Sequence, residues 1–305
     1  MSVALVAWCA AAPGGGAQQA PGENSRSVMV YFSALDDNGR TVTNLKADEM
    51  TLKVDGRPQK IGAFLGAGQS PPLTLELLLD VSGSMGWEPT FMGGKQKYGL
   101  PLFATILFRG DIAYVREFGI HSDLLASASG DPQVLADAVS HASKPQGRTA
   151  MLDAMLTACE NELAGSEGRG KAILLITDGG DNESVVKKSA VEKCLRKENV
   201  VVYAAVGYAP INIRGRTLEE MDGPELIHEL VMRSGGNEWL TLNENGFADS
   251  LAGAAYQIRD RYAIAFEGPA PNANGKPHKI ELTTSRKHTI LFAPQDMPDG
   301  EPIAP

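Results

Sequence analysis

Residues 75–85 read Leu-Glu-Leu-Leu-Leu-Asp-Val-Ser-Gly-Ser-Met, and this stretch decides the fold. The apolar run is typical of a strand that is buried on both faces of a parallel sheet. The strand ends in Asp80, and the hydroxyls of Ser82 and Ser84 follow at alternating positions. Gly83 lets the backbone turn there, so that these three hard oxygen donors can converge. The stretch therefore predicts a metal site at the carboxyl end of a buried strand.

Two distant segments offer further oxygen ligands. Thr149 follows Gly147-Arg148 in a loop before a helical pattern, and Asp178 ends a second apolar run, Ile173 to Thr177. In an open parallel sheet, ligands bind outside the carboxyl ends of the strands, where the strand order reverses. We therefore expect Asp80 and Asp178 to lie on either side of that point if their strands are neighbours.

Short apolar runs alternate with helical patterns from Pro72 onward, which is typical of a doubly wound α/β fold. We expect a mostly parallel central sheet with helices on both faces. The predicted strands are Leu73 to Leu79, Asp111 to Phe118, Ala172 to Thr177, Val200 to Val206 and Trp239 to Leu242, and helices are predicted around 152–163, 186–195 and 247–261.

Strand patterns also occur near both ends of the chain, from Ser27 to Ala34 and from Tyr262 to Phe266 among others. Since a few short strands are rarely stable alone, we expect the two ends to form one small β module, with the α/β domain inserted between them. The predicted division is a signal peptide at 1–17, a linker at 18–26, the N-terminal part of the β module at 27–66, the α/β domain at 72–261, completing strands at 262–293 and a tail at 294–305.

The five ligand positions resemble the metal-ion-dependent adhesion site of the von Willebrand factor A family: Asp-x-Ser-x-Ser, then a distant Thr, then a distant Asp. Asp80, Ser82, Ser84, Thr149 and Asp178 match that pattern in order. The Asp55-Gly56 turn and Arg261-Tyr262 also resemble secreted bacterial proteins related to that family, of the acidobacterial type. One departure is the first helical region, where Gly93, Gly94, Gly99 and Pro101 predict a distorted start.

The resemblance implies a binding domain, not an enzyme, in which a divalent cation keeps an open position for a Glu or Asp of a partner protein. Mg²⁺ suits hydroxyl, carboxylate and water ligands, and Mn²⁺ or Ca²⁺ are the other candidates. Two alternatives remain: a metal-dependent hydrolase, which needs a general base beside the metal, and a structural cation that binds no partner. A plain turn cluster at Asp80 to Ser84 is the remaining interpretation of that segment.

Several neighbouring residues have a less specific pattern. Asp153 could support the site or cap a helix, and Asp181 could support the site or cap a helix starting near Ser184. Cys159 and Cys194 lie on predicted helices that cover the same face of the sheet, so they form either a disulfide or two buried thiols. The five histidines lack the spacing of a zinc site.

Composition restricts the environment and the partners. With 43% hydrophobic residues, 21% charged residues and a net charge of −9, the chain is typical of a globular protein with little attraction to nucleic acid or anionic membrane.

The apolar start, residues 3–12, resembles a signal peptide without its basic residues, and Trp8 disfavours lipidation at Cys9. No later run is long enough to span a bilayer. We expect a secreted or periplasmic protein.

Overall fold

The computed structural model describes residues 25–86, 91–207, 218–241 and 244–302. The predicted signal peptide and nearly all of the predicted linker lie outside these residues. No helix within the described ranges is long and apolar enough to cross a membrane.

Six strands form the central sheet, in the order β10-β9-β8-β5-β6-β7. They are β5 (Leu73–Asp80), β6 (Ile112–Phe118), β7 (Ser122–Ser129), β8 (Gly170–Thr177), β9 (Val200–Gly207) and β10 (Glu238–Thr241). Five of them are parallel, and β7 pairs antiparallel with β6 at one edge. The predicted α/β fold with a mostly parallel sheet is confirmed. The strand β7 was not predicted from the sequence.

Helices cover both faces of this sheet. They are α1 (Phe91–Ile106), α2 (Pro132–Ser140), α3 (Met151–Ala158), α4 (Lys188–Glu198), α5 (Leu218–Ser234) and α6 (Glu244–Arg259). One core contains residues of α1, α2 and α6, and the other contains residues of α3, α4 and α5. In β5, Leu77 and Leu79 belong to the first core and Leu78 to the second. This alternation explains why Leu77, Leu78 and Leu79 follow one another without a polar residue, because each face of the strand is covered.

The helix α1 runs from Phe91 to Ile106 with Pro101 inside it, and the predicted distortion at its start stays a prediction. Gly99 has a packing role within this helix. A Cβ at Gly99 would lie 3.3 Å from Cα of Ala136, so a larger residue would press on α2. The glycine that looked like a helix breaker allows two helices to approach closely.

Strands from both ends of the chain form the predicted β module. β1 (Arg26–Asp36) pairs with β11 (Tyr262–Gly268), with β13 (Thr289–Phe292) and with β14 (Glu301–Pro302), while β4 (Ile61–Leu65) pairs with β11. A second sheet contains β12 (Ile280–Thr284), β2 (Met50–Val54) and β3 (Arg57–Gln59). Both sheets contribute to one apolar core, in which the rings of Phe32 and Tyr262 stack with centroids 5.1 Å apart.

A disulfide joins Cys159 and Cys194. It connects the end of α3 to α4 on one face of the central sheet and settles a pairing that the sequence left open. Five residues from Cys159 to Leu163 form a π-helical turn directly after α3. One covalent bond thus ties the helix that follows the Thr149 loop to the helix that follows the Asp178 loop.

His278 links two segments of the β module in a way that depends on its charge. Its Nδ1 lies 2.6 Å from Oδ2 of Asp55 and its Nε2 lies 2.9 Å from the carbonyl oxygen of Ala270. Both partners only accept, so both bonds form when the imidazole carries two protons. Burial disfavours the charged ring, but the bonds to Asp55 and Ala270 outweigh it, and the pKa of His278 is raised. The same contact lowers the pKa of Asp55.

We expect His278→Asn to destabilise the protein by about 0.5–1 kcal/mol at pH 5.5, a small value because Asp55 is half exposed. A histidine whose pKa is raised in the folded state stabilises that state at low pH, and this contribution is lost as the pH rises through the raised pKa. The difference between variant and wild type should therefore shrink by pH 8.5. Urea unfolding at both pH values measures it, and a difference that does not change with pH would contradict the charged pair.

Candidate metal centre

The carboxyl end of β5 brings the first three predicted ligands together. Asp80 is fully buried, and its Oδ1 accepts the backbone N–H of Ser82 at 2.7 Å. The hydroxyl oxygens of Ser82 and Ser84 lie 3.2 Å apart. Ser82 is buried, whereas Ser84 is exposed. The cluster therefore extends from the interior to the surface, which leaves it accessible to solvent on the side of Ser84.

The loop that carries Thr149 is hydrogen-bonded to the loop that carries the two serines. The N–H of Gly83 donates to the carbonyl of Gly147 at 3.0 Å, and the N–H of Gln146 donates to the carbonyl of Val81 at 2.8 Å. A Cβ at Gly83 would lie 3.2 Å from the carbonyl oxygen of Gly147, so the close approach favours glycine there. Thr149 itself is buried at this junction.

Asp178 follows β8, the strand that pairs directly with β5. Asn182 in the same loop accepts the N–H of Thr149 through its side-chain oxygen at 2.9 Å, and its own N–H donates to the carbonyl of Thr149 at 3.0 Å. The chain passes from β5 to β6 on one side and later reaches β8 on the other, so the site lies where strand order reverses. The three predicted segments thus meet beyond the carboxyl ends of the parallel strands.

The charges at the carboxyl ends of these strands favour the binding of a cation. Burial, and then the charge of Asp178, raise the pKa of Asp80 to about 7, against hydrogen bonds from Ser82 and Thr177 that lower it. Two carboxylates that repel one another in a buried place cost free energy, which a bound divalent ion would offset. The donor set of two carboxylates and three hydroxyls is chemically suited to Mg²⁺. Within the described ranges no three His, Cys, Asp or Glu side chains gather into a group, so the hydroxyls would have to supply the remaining protein ligands.

Two residues at the site were missed by the sequence analysis. Thr177 donates its hydroxyl to Oδ2 of Asp80 at 2.6 Å and accepts the N–H of Gly179 at 3.1 Å. Asn182 joins the loops of Thr149 and Asp178. The one available signal for Thr177 was a polar residue at the end of an apolar strand. Both residues position candidate ligands.

Asp153 and Asp181 hold the loop after β8. The carboxylate of Asp153 accepts the N–H groups of Val185, at 3.1 Å to each oxygen, and of Val186 at 2.9 Å. Asp181 accepts the N–H of Ser184 at 3.4 Å. The interpretation of Asp181 as the cap of a helix starting near Ser184 is wrong, because α4 begins at Lys188. Support of the metal by either carboxylate stays a prediction.

The sequence matches no protein-family model and no curated protein. Among solved structures, a von Willebrand factor type A protein from Catenulispora acidiphila is similar with a TM-score of 0.52 and 11% identity, over 90% of this chain and 75% of that one. The proximal thread matrix protein 1 of the mussel byssus, with a zinc-occupied metal-ion-dependent adhesion site, is similar with a TM-score of 0.51 and 14% identity, over 68% of this chain and 49% of that one. At these identities the likeness concerns the fold, which is of the von Willebrand factor A type.

Proposed function

We propose that this chain is a metal-dependent protein-binding domain. Asp80, Ser82, Ser84, Thr149 and Asp178 would hold a divalent cation, with Mg²⁺ favoured over Mn²⁺ and Ca²⁺, and a Glu or Asp of the partner would complete its coordination. The observation that carries the proposal is that the loops of Asp80, Thr149 and Asp178 meet beyond the carboxyl ends of the paired strands β5 and β8, which brings two buried carboxylates and three hydroxyls to one place. The zinc-occupied site of the mussel protein, which shares the fold, supports it.

The exposure of Ser84 favours a partner-binding cation over a structural one. A structural cation is typically enclosed by protein ligands, whereas an adhesion site needs one position that a water molecule can leave. Ser84 lies at the surface, 3.2 Å from Ser82, so this side of the cluster is accessible from outside. A hydrolase would also need a general base next to this position.

The disulfide supports the proposed secreted or periplasmic location. Disulfides form and persist in oxidising compartments and are rare in the cytosol. The bond between Cys159 and Cys194 is buried in the core on one face of the sheet. A chain that folds outside the cytosol can meet extracellular partners and divalent cations.

Capture of a partner tests the proposal. Wild-type protein, Asp80→Asn and Asp123→Asn are immobilised and incubated with the extracellular fraction of the source organism, in Mg²⁺ or in EDTA. Asp123 is an exposed carboxylate on β7 and serves as the matched control. We expect the wild type and Asp123→Asn to capture the same protein in Mg²⁺ and to release it in EDTA, while Asp80→Asn captures none. Equal capture in all conditions would refute the metal-dependent mechanism, and no capture together with Mg²⁺ stabilisation would favour the structural cation.

A further inference from the structure

Three charged side chains lie buried together on one face of the central sheet. Glu76 lies two residues before Leu78 on β5, so both face the core that contains residues of α3. Nε of Arg116, on β6, lies 3.3 Å from Oε1 of Glu76, and Nη2 lies 2.6 Å from Oε1 of Glu162. The side chain of Glu76 is completely buried, that of Arg116 is 6% exposed and that of Glu162 is 11% exposed. One guanidinium thus binds two carboxylates inside the protein.

The π-helical turn after α3 supplies the second of these carboxylates. The N–H of Ala164 donates to the carbonyl of Cys159 at 3.0 Å and closes the turn. Such turns are rare, and they occur frequently at functional sites. Glu160, in the same turn, is exposed, whereas Glu162 points to Arg116. Because the disulfide of Cys159 fixes the start of the turn, a rearrangement here would involve the residues that follow it.

The charges of this group do not balance when both carboxylates are ionised, since two negative charges face one positive charge. Within the part of the chain that the structure describes, Oε2 of Glu76 and Oε2 of Glu162 are buried and have no hydrogen-bond partner. A buried charge without a partner is strongly unfavourable, and such a group takes up a proton instead. One proton on the two carboxylates would remove the excess charge and leave a single ion pair with Arg116.

Glu76 is the carboxylate that is better placed to hold this proton. Its contact with Arg116 is the longer of the two, 3.3 Å against 2.6 Å for Glu162, and short contacts are typical of hydrogen bonds between ionised groups. Burial, and then the charge of Glu162, raise the pKa of Glu76 from 4.5 to about 8, against Arg116, which lowers it. Glu162 is therefore the anionic partner of Arg116 at neutral pH.

Further titratable groups on the elements around Glu76 are bound elsewhere or carry no positive charge. They are Tyr114 of β6, which pairs with Glu76, Arg169, which donates to the Thr74 hydroxyl at 2.8 Å, Lys171 of β8, which donates to Glu198 at 2.9 Å, and Asp153 of α3, which accepts N–H groups of the loop after β8. The residue of β8 that pairs with Glu76 is the apolar Ile173. Arg116 is thus the cation that both carboxylates must share.

We propose that Glu76, Arg116 and Glu162 form a proton-dependent clasp between the π-helical turn and the central sheet, closed when Glu76 carries a proton and open when Glu76 is ionised. When Glu76 releases its proton to solvent, two carboxylates compete for one guanidinium. Glu162 is the less buried of the two, so it turns outward and Arg116 keeps Glu76. This inference does not depend on the proposed function.

The sign of the pH dependence follows from the raised pKa of Glu76. The unfolded chain releases this proton near pH 4.5, whereas the folded protein holds it to about pH 8. The proton therefore favours the folded state, and this contribution is lost as the pH rises from about 4.5 to about 8. Alkaline solution should loosen the π-helical turn first, since Glu162 is its link to the sheet.

Infrared spectroscopy of the full chain tests the proton. The variants are Glu76→Gln, which mimics the protonated side chain, Glu162→Gln, which removes the competing carboxylate, and Glu160→Gln, the matched control in the same turn. We expect the spectrum of the wild type at pH 7, minus that of Glu76→Gln, to contain the carbonyl stretch of a protonated carboxylic acid, which disappears by pH 10. Glu160→Gln should behave as the wild type, and Glu162→Gln should lose the band at a lower pH.

Hydrogen exchange tests the opening of the clasp. After correction for the intrinsic effect of pH, exchange of the Ala164 amide should rise about tenfold from pH 7 to pH 9.5 in the wild type and in Glu160→Gln. It should not change with pH in Glu76→Gln, nor in Glu162→Gln, which serves if Glu76→Gln does not fold. Absence of a Glu76-dependent acid band at pH 7 would overturn the inference, and so would the same pH response of Ala164 in the wild type and in both clasp variants.

Discussion

The variant Asp80→Asn is expected to lose Mg²⁺ affinity by at least about 100-fold, which corresponds to about 3 kcal/mol. Asn keeps the size and the hydrogen-bonding oxygen of the side chain but removes the charge that faces Asp178. The metal-free variant should remain folded, because the substitution also removes a buried charge and costs at most one hydrogen bond to Ser82 or Thr177. Titration calorimetry with Mg²⁺ measures the affinity.

Asp123→Asn is the matched control, and its affinity should equal that of the wild type. If Asp80→Asn does not fold, as judged by near-ultraviolet circular dichroism, Thr149→Ala provides a second variant at a different loop. Its loss of affinity should be smaller, because an uncharged ligand is removed. An Asp80→Asn protein that binds Mg²⁺ as tightly as the wild type would show that the cation site is elsewhere.

Replacing Cys159 and Cys194 by Ala together is expected to lower the free energy of unfolding by about 4 kcal/mol. The bond closes a loop with a sequence separation of 35, and a loop of this length restricts the unfolded chain by about that amount. Urea unfolding of the oxidised wild type and of the double variant measures the difference.

Reduction supplies an independent test of the same bond. The wild type treated with a thiol reductant after unfolding should approach the stability of the double variant, whereas the double variant itself should not respond. The single variants Cys159→Ala and Cys194→Ala should resemble the double variant. Equal stability of the oxidised wild type and the double variant would mean that the cross-link contributes no net stability.

The sequence predicted those parts of the fold whose burial leaves a periodic pattern. The strand from Leu73 to Leu79 has buried leucines on both faces because helices cover both, and such leucine-rich runs are visible without a structure. β7 was missed because Ser122–Ser129 is an edge strand in which Ala126 alone is buried and six of the eight residues are small or polar. Gly99 was misinterpreted because its role depends on the approach of α2, which no local pattern records.

The candidate ligands could be identified from the chain because their residue types and order are distinctive. Their supporting contacts could not, since they join distant positions: Thr177 contacts Asp80 across 97 residues, and Asn182 contacts Thr149 across 33. The pairing of Cys159 with Cys194 could not be predicted for the same reason, because helical spacing alone does not show whether two cysteines face each other. Identification of such contacts requires the relative placement of β5, β8 and the loops beyond them.

The pairing of β1 with the last described strand has a mechanical consequence. Arg26 lies opposite Pro302, and Leu65, where the chain leaves the β module, lies opposite Ala263, where it returns. Tension applied between the chain before residue 26 and the chain after residue 302 is therefore carried first by hydrogen bonds of the β module. Those strands must separate before any load reaches the sheet that carries Asp80. The sheet that carries Asp80 would therefore stay folded while the two ends of the chain are being pulled apart.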